Sequence, residues 1–201
     1  MIIVLVHGIN DTSAKFKIMK AAFENAGFPC IVPSLTPNNG SKGLEHLAKQ
    51  LKNIIDASPD ISNESKICLV GFSMGSLISR YYLQELDGLK IVRQFFSISG
   101  PHHGSLWAYL SSSPGARQMR PNSDFIRMLN QSSHRLQNQE IYSYWTPFDL
   151  MILPATSSIW DMAKNIRVNV LCHPFMVSSD KVISDIIDKI SLAQQNSQGF
   201  T

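Results

Sequence analysis

Short, uninterrupted apolar runs alternate along the chain with segments whose apolar residues recur every three or four positions. This alternation limits the possible folds more than any other feature. Ile2 to Val6, Cys30 to Pro33, Ile67 to Val70, Val92 to Ser97, roughly Ile141 to Trp145, and Val168 to Cys172 read as strands that are apolar on both faces, the form of a buried parallel strand. Four helices separate or follow them. The first carries Phe16, Met19, Phe23 and Ala26 with Gly27 as its stop, and the second Leu44, Leu47, Leu51, Ile54 and Ile55. The third opens at or just after Ser73 and runs toward Leu86, ending at Asp87-Gly88. The last carries Val182, Ile183, Ile186, Ile187 and Ile190 behind a cap at Ser179. The expected fold is α/β, with a mostly parallel central sheet of about six strands and helices on both faces.

A chain of 201 residues is expected to form one domain, since single domains commonly run to about 150 residues or more. Residues 1–201 are therefore read as one unit. Charged residues make up 16% and apolar residues 44%, which excludes disorder and coiled coil. Eighteen basic against fifteen acidic residues, without a basic block, argue against nucleic-acid binding. Cys30, Cys68 and Cys172 lack CxxC spacing and read as small buried hydrophobes in a reducing compartment. The six histidines form neither HxxxH nor HExxH, and no glycine-rich phosphate cradle is present, so neither metal nor cofactor is expected. MIIVLVHGIN has no basic n-region, and no run approaches the ~20 apolar residues of a membrane span, so a cytoplasmic protein without an integral membrane segment is expected. A removed leader is compatible with the same sequence. From Gly104 to about Gln139, Ser111 to Ser113, Pro114-Gly115 and Pro121-Asn122 predict irregular structure with one short helix near Phe125 to Leu129.

Gly71-Phe72-Ser73-Met74-Gly75 lies directly between a strand ending at Val70 and a helical segment. A serine at so tight a strand-to-helix turn is forced into an unfavourable backbone region. The flanking positions must lack bulk, and Gly71, Gly75 and Ser76 supply that. The turn projects the hydroxyl above the carboxyl edge of the sheet, with the positive end of a helix behind it. Acyl transfer needs that arrangement. The plainer alternative is that Ser73 only caps the helix. His7-Gly8-Ile9-Asn10 follows the first strand, and its glycine turn brings the Ile9 N–H toward the serine. The main-chain N–H groups of Ile9 and Met74 are the expected oxyanion donors. His7 reads as structural.

HGIN after the first strand, GFSMGS at the turn, SGPHHGS after the next strand, and a late acid and histidine together resemble the small α/β-hydrolase lipases and esterases of the bacterial triacylglycerol lipase kind, over about residues 2–190. The resemblance implies an α/β-hydrolase fold, an acyl-enzyme mechanism, and the chain order nucleophile, acid, histidine. His173 follows the last expected strand and leaves the sheet at the same edge as Ser73, which makes it the expected base; His102, His103 and His134 are the rivals. Asp149, in WTPFDLMILP, resembles the family's acid loop, against Asp124, Asp161 and Asp180. Departures from the family pattern are Cys172 and Pro174 around the histidine, and Asn10 where many relatives have a second glycine. Asn10 could present an amide to the acyl oxygen or simply satisfy its turn. His102 and His103 read as a loop anchor or as lining at the edge of the site. The implied function is a serine carboxyl-ester hydrolase acting on a small-molecule acyl ester. An acyltransferase or thioesterase would use the same acyl-enzyme. A catalytically silent binding module would need a broken triad, yet every position is filled. Trp107, Tyr109, Trp145, Phe148 and Trp160 fall where an acyl pocket would be lined.

Overall fold

The computed structural model describes residues 1–61 and 66–198. Six strands form one parallel sheet in the order β2-β1-β3-β4-β5-β6: β1 (Ile2–Val6), β2 (Cys30–Ile31), β3 (Ile67–Phe72), β4 (Val92–Ile98), β5 (Glu140–Trp145) and β6 (Lys164–Arg167). Successive strand residues point to opposite faces, and here both faces are covered. Val4, Val6, Leu69 and Phe95 pack on one side against α2 (Leu44–Asp56), α3 (Met74–Glu85) and α5 (Asp124–Gln131). Ile3, Leu5, Val70 and Phe96 pack on the other against α1 (Lys17–Asn25) and α6 (Asp180–Gln198). That two-sided burial is why the strands read as continuous apolar runs.

The register aligns the strand ends. Val6 pairs with Gly71, Phe72 with Ile98, Ile98 with Tyr144, and Trp145 with Arg167. The segments that follow β1, β3, β4, β5 and β6 therefore all emerge at one carboxyl edge. The chain leaves β1 toward β2 and returns on the far side of β1 to β3, so the strand order reverses beside β1 and β3. Ligands of open α/β sheets bind at such a point.

Three expectations are corrected. The last strand is Lys164–Arg167, not Val168 to Cys172. Only Val168 N–H still reaches the sheet, donating to Trp145 O at 2.9 Å; residues 169–172 form a loop tied by Thr146 Oγ1 to Val170 O (2.7 Å). An edge strand faces solvent along much of its length and is guarded by charge, so Lys-Asn-Ile-Arg lacks the apolar run of a central strand. The second correction concerns residues 104–139, which are largely helical. A 3-10 turn at Leu106–Leu110 is followed by α4 (Pro114–Gln118), α5, and a further 3-10 turn at Ser133–Leu136. The residues that suggested a loop are helix starts: Ser113 accepts from Ala116 N–H with Pro114 behind it, and Ser123 accepts from Ile126 N–H. The three thiols are free, but only Cys68 is buried, and Cys172 is exposed.

Candidate active site

Ser73 sits between β3 and α3 with φ 54° and ψ −121°, a strained combination for a residue with a Cβ. It occupies the helix-start position, yet its side chain makes no capping hydrogen bond. The turn is possible only because its neighbours are glycines. A Cβ on Gly75 would lie 2.1 Å from Val6 O, and one on Gly71 would lie 2.7 Å from Ser76 Cα. Ser76 Oγ donates to Gly71 O (2.8 Å) and Ser73 N–H to Ile98 O (2.9 Å), locking the turn to both sides. Gly8 of the loop after β1 approaches so closely that a Cβ there would sit 3.2 Å from Ser73 Cβ.

The residues expected to act with Ser73 arrive on loops from the same edge. Asp149 and His173 are each 3% exposed, and His173 Nδ1 is 2.7 Å from Asp149 Oδ2. The other carboxylate oxygen, Oδ1, accepts from Met151 N–H (3.0 Å) and Ile152 N–H (2.9 Å). Burial alone pushes the Asp149 carboxyl up. The hydrogen bond and charge of His173, with the Ile152 and Met151 N–H donors, outweigh that and hold it below the usual carboxylate range. An ionised Asp149 takes its hydrogen bond from Nδ1–H, leaving Nε2 unprotonated in the neutral ring. The imidazole packs on Phe72, the residue before Ser73, with ring centroids 4.7 Å apart.

The rival groups are engaged elsewhere. His7 Nε2 accepts from Leu35 N–H (2.9 Å) and Nδ1 donates to Gly8 O, a structural arrangement. His103 Nε2 contacts Ile159 O and His134 Nδ1 contacts Gln131 O. Asp124 pairs with Arg127 on the surface, and Asp180 lies in the first turn of α6. Asn10 takes φ 59°, so it serves its turn, and it also lines the cavity beside Ser73.

That cavity is lined by Ile9, Asn10, Ser73, Pro101, Ser105 and Trp107 together with apolar residues of the 106–119 segment and of the loop after Asp149. Of the aromatics expected near an acyl pocket, Trp107 lines it, whereas Trp160 is buried in the core. Ser105 is a further structural element that the sequence did not single out. Its Oγ donates to Met151 O (2.8 Å) and accepts from Leu153 N–H (2.9 Å), joining the two walls. Arg80 is another. It is fully buried on α3, stacks over Trp160 at 4.4 Å, and donates to the neutral acceptors Gln84, Asn130 and the His102 carbonyl. Burial lowers its pKa to about 9.

Among the described residues no group of His, Cys, Asp or Glu could hold a metal ion, and no helix is long and apolar enough to cross a membrane. The sheet order, the strained serine turn and the placement of the loops are those of an α/β-hydrolase. Solved structures similar to the chain include the mature lipase BlEst2 of Bacillus licheniformis (16% identity, 92% of this chain and 91% of that one, TM-score 0.73). Others are Aspergillus fumigatus lipase B (18%, 88% and 49%, TM-score 0.75) and a pyrethroid hydrolase from Sphingobium faniae JZ-2 (14%, 94% and 96%, TM-score 0.62). No curated protein matches the sequence. The family model for palmitoyl protein thioesterase matches residues 2–152, and the chain belongs to that family. The ester-hydrolase class expected from the sequence agrees with this membership. The matched span includes Ser73 and Asp149 and ends before His173.

Proposed function

We propose that the protein is a single-domain serine hydrolase of carboxylic esters that works through an acyl-enzyme on Ser73. The observation that carries this reading is the uncapped hydroxyl on a strained turn whose preceding residue, Phe72, packs on an imidazole with its Nδ1 held by a buried carboxylate. His173 Nε2 takes the proton as Ser73 Oγ bonds to the acyl carbon, then returns it to the leaving alcohol as the carbon–oxygen bond breaks. Asp149 orients His173 and stabilises the imidazolium. The N–H groups of Ile9 and Met74 stabilise the oxyanion; Met74 begins α3, and the first N–H groups of a helix lack intrahelical acceptors. Water, activated by the same histidine, releases the acid. The substrate is a small acyl ester, and the reaction needs no metal or cofactor.

Family membership favours a second reading in which the leaving group is a thiol. The acyl half of the reaction is the same, so the two readings differ in donor preference. Matched oxoester and thioester substrates, tested with wild type and Ser73→Ala, address both. Turnover is expected to fall at least about 10⁴-fold in the variant with an unchanged Tm. A variant retaining wild-type turnover overturns the nucleophile assignment. Failure of the wild type to label with a fluorophosphonate would indicate a silent binding module instead.

A further inference from the structure

The cavity beside Ser73 has a volume of about 230 Å³. Its deep wall is made by Ala108, Ala116, Met119 and Ile152, all buried, and its outer rim by the exposed Trp107 and Leu110. A methylene is close in size to a water molecule, which takes up about 30 Å³ in the liquid, so the cavity, open at its rim, has room for roughly eight carbons of a chain. The wall is anchored. Gly115 and Gly40 meet backbone to backbone: Gly115 N–H donates to Gly40 O at 2.9 Å, and a Cβ on Gly115 would lie 2.9 Å from Gly40 Cα. Leu44 N–H donates to Gln118 Oε1 (2.6 Å), and Ser105 N–H to Met119 O (2.8 Å). Ala116 therefore sits in a helix held from both sides and has no room to withdraw.

We propose that this wall sets a ceiling of about eight carbons on the part of an acyl chain that contributes to recognition, with Ala116 and Met119 as the residues that determine it. Acyl groups of about eight carbons or more are then preferred over shorter ones. The outer half of a palmitoyl chain passes the rim at Leu110, which is 73% exposed, and adds little to selectivity. The inference rests on Ser73 as the nucleophile.

The test is a ladder of p-nitrophenyl esters from acetyl to palmitoyl, in one fixed cosolvent, on wild type, Ala116→Leu and Met119→Ala. In the wild type kcat/KM is expected to rise by up to about fourfold per methylene and to level off near octanoyl. Ala116→Leu should lower the octanoyl-to-acetyl ratio about tenfold or more by filling the space of several methylenes. Met119→Ala should move the break to longer chains, and it keeps the test open if Ala116→Leu does not fold. A steady rise through palmitoyl, or a break that a folded variant leaves in place, overturns the ceiling while leaving Ser73 as nucleophile. Hydrolysis of no ester, or equal hydrolysis by Ser73→Ala, overturns the reading of the site and the ceiling with it.

Discussion

Two loops at the carboxyl edge each carry a buried histidine on an aromatic ring, and they differ in what faces the imidazole. After β4, His102 stacks on Trp160 with centroids 4.3 Å apart; its Nε2 contacts Ser97 Oγ (2.8 Å), and its Nδ1 has no partner among the described residues. Burial, then the Arg80 charge, then His103 hold its pKa well below the usual value. After β6, His173 packs on Phe72 and faces the Asp149 carboxylate. The first environment opposes a positive imidazole, whereas the second sets a buried carboxylate against the ring. Similar burial thus leaves one ring near a guanidinium and the other hydrogen-bonded to a carboxylate.

The largest expected contrast is in turnover. His173→Ala should lower kcat by at least about 10⁴-fold, and Asp149→Asn by about 10⁴-fold, because an asparagine amide would select the wrong imidazole tautomer. His102→Phe should change kcat less than about tenfold, since the ring stack on Trp160 survives and no proton is handled there. Steady-state kinetics on one ester measures all three. A collapse of kcat in His102→Phe with an unchanged Tm would erase the distinction between the loops.

Stability is expected to respond the other way, but by less. His102→Phe leaves Ser97 Oγ without its imidazole partner, at a cost of at most about 2 kcal/mol in urea unfolding. Removal of the unpartnered Nδ1 offsets part of that loss.

The smallest effect separates the loops by pH. The folded pKa of His102 lies below its unfolded value of about 6.5, so its neutral burial is fully compatible with folding above that pH. Stability drains as the unfolded chain takes up a proton below it. The folded pKa of Asp149 lies below its unfolded value of about 3.9. Its contribution is present above that pH and disappears as the pH falls through the folded value. Melting curves should show His102→Phe losing Tm less steeply than wild type from about pH 6.5 downward. Asp149→Asn should differ from wild type by a constant amount at neutral pH and converge with it as the pH falls below about 4.

Much of this architecture is written in local sequence. The serine turn is signalled locally by Gly71, Gly75 and Ser76, which leave room for one strained backbone, although the group that crowds Gly75 is Val6 O of β1 and Ser73 N–H bonds to Ile98 O of β4. The strands from β1 to β5 and helices α2 and α3 follow from periodicity, because central strands and the helices over them bury their apolar residues in a regular pattern. β6 escaped that reading because its charges guard an edge. The serines and prolines of the 104–139 segment escaped it because the same residues start helices and make loops, and only the packing of α4 on Gly40 and of α5 on α3 decides which.

The site divides along the same line. The family resemblance and the expected strand ends pointed to Asp149 and His173, but their 2.7 Å hydrogen bond joins residues 24 apart, and it exists only because the register of β5 and β6 brings both loops to one edge. The Arg80–Trp160–His102 stack, the exposure of Cys172 and the volume beside Ser73 arise from contacts between distant segments. The sequence by itself determined the fold class and the position of the strained serine turn, because apolar periodicity and the glycine spacing are written in local sequence. Which histidine meets a carboxylate, and how much space lies beside Ser73, was decided only when the tertiary structure placed those segments side by side.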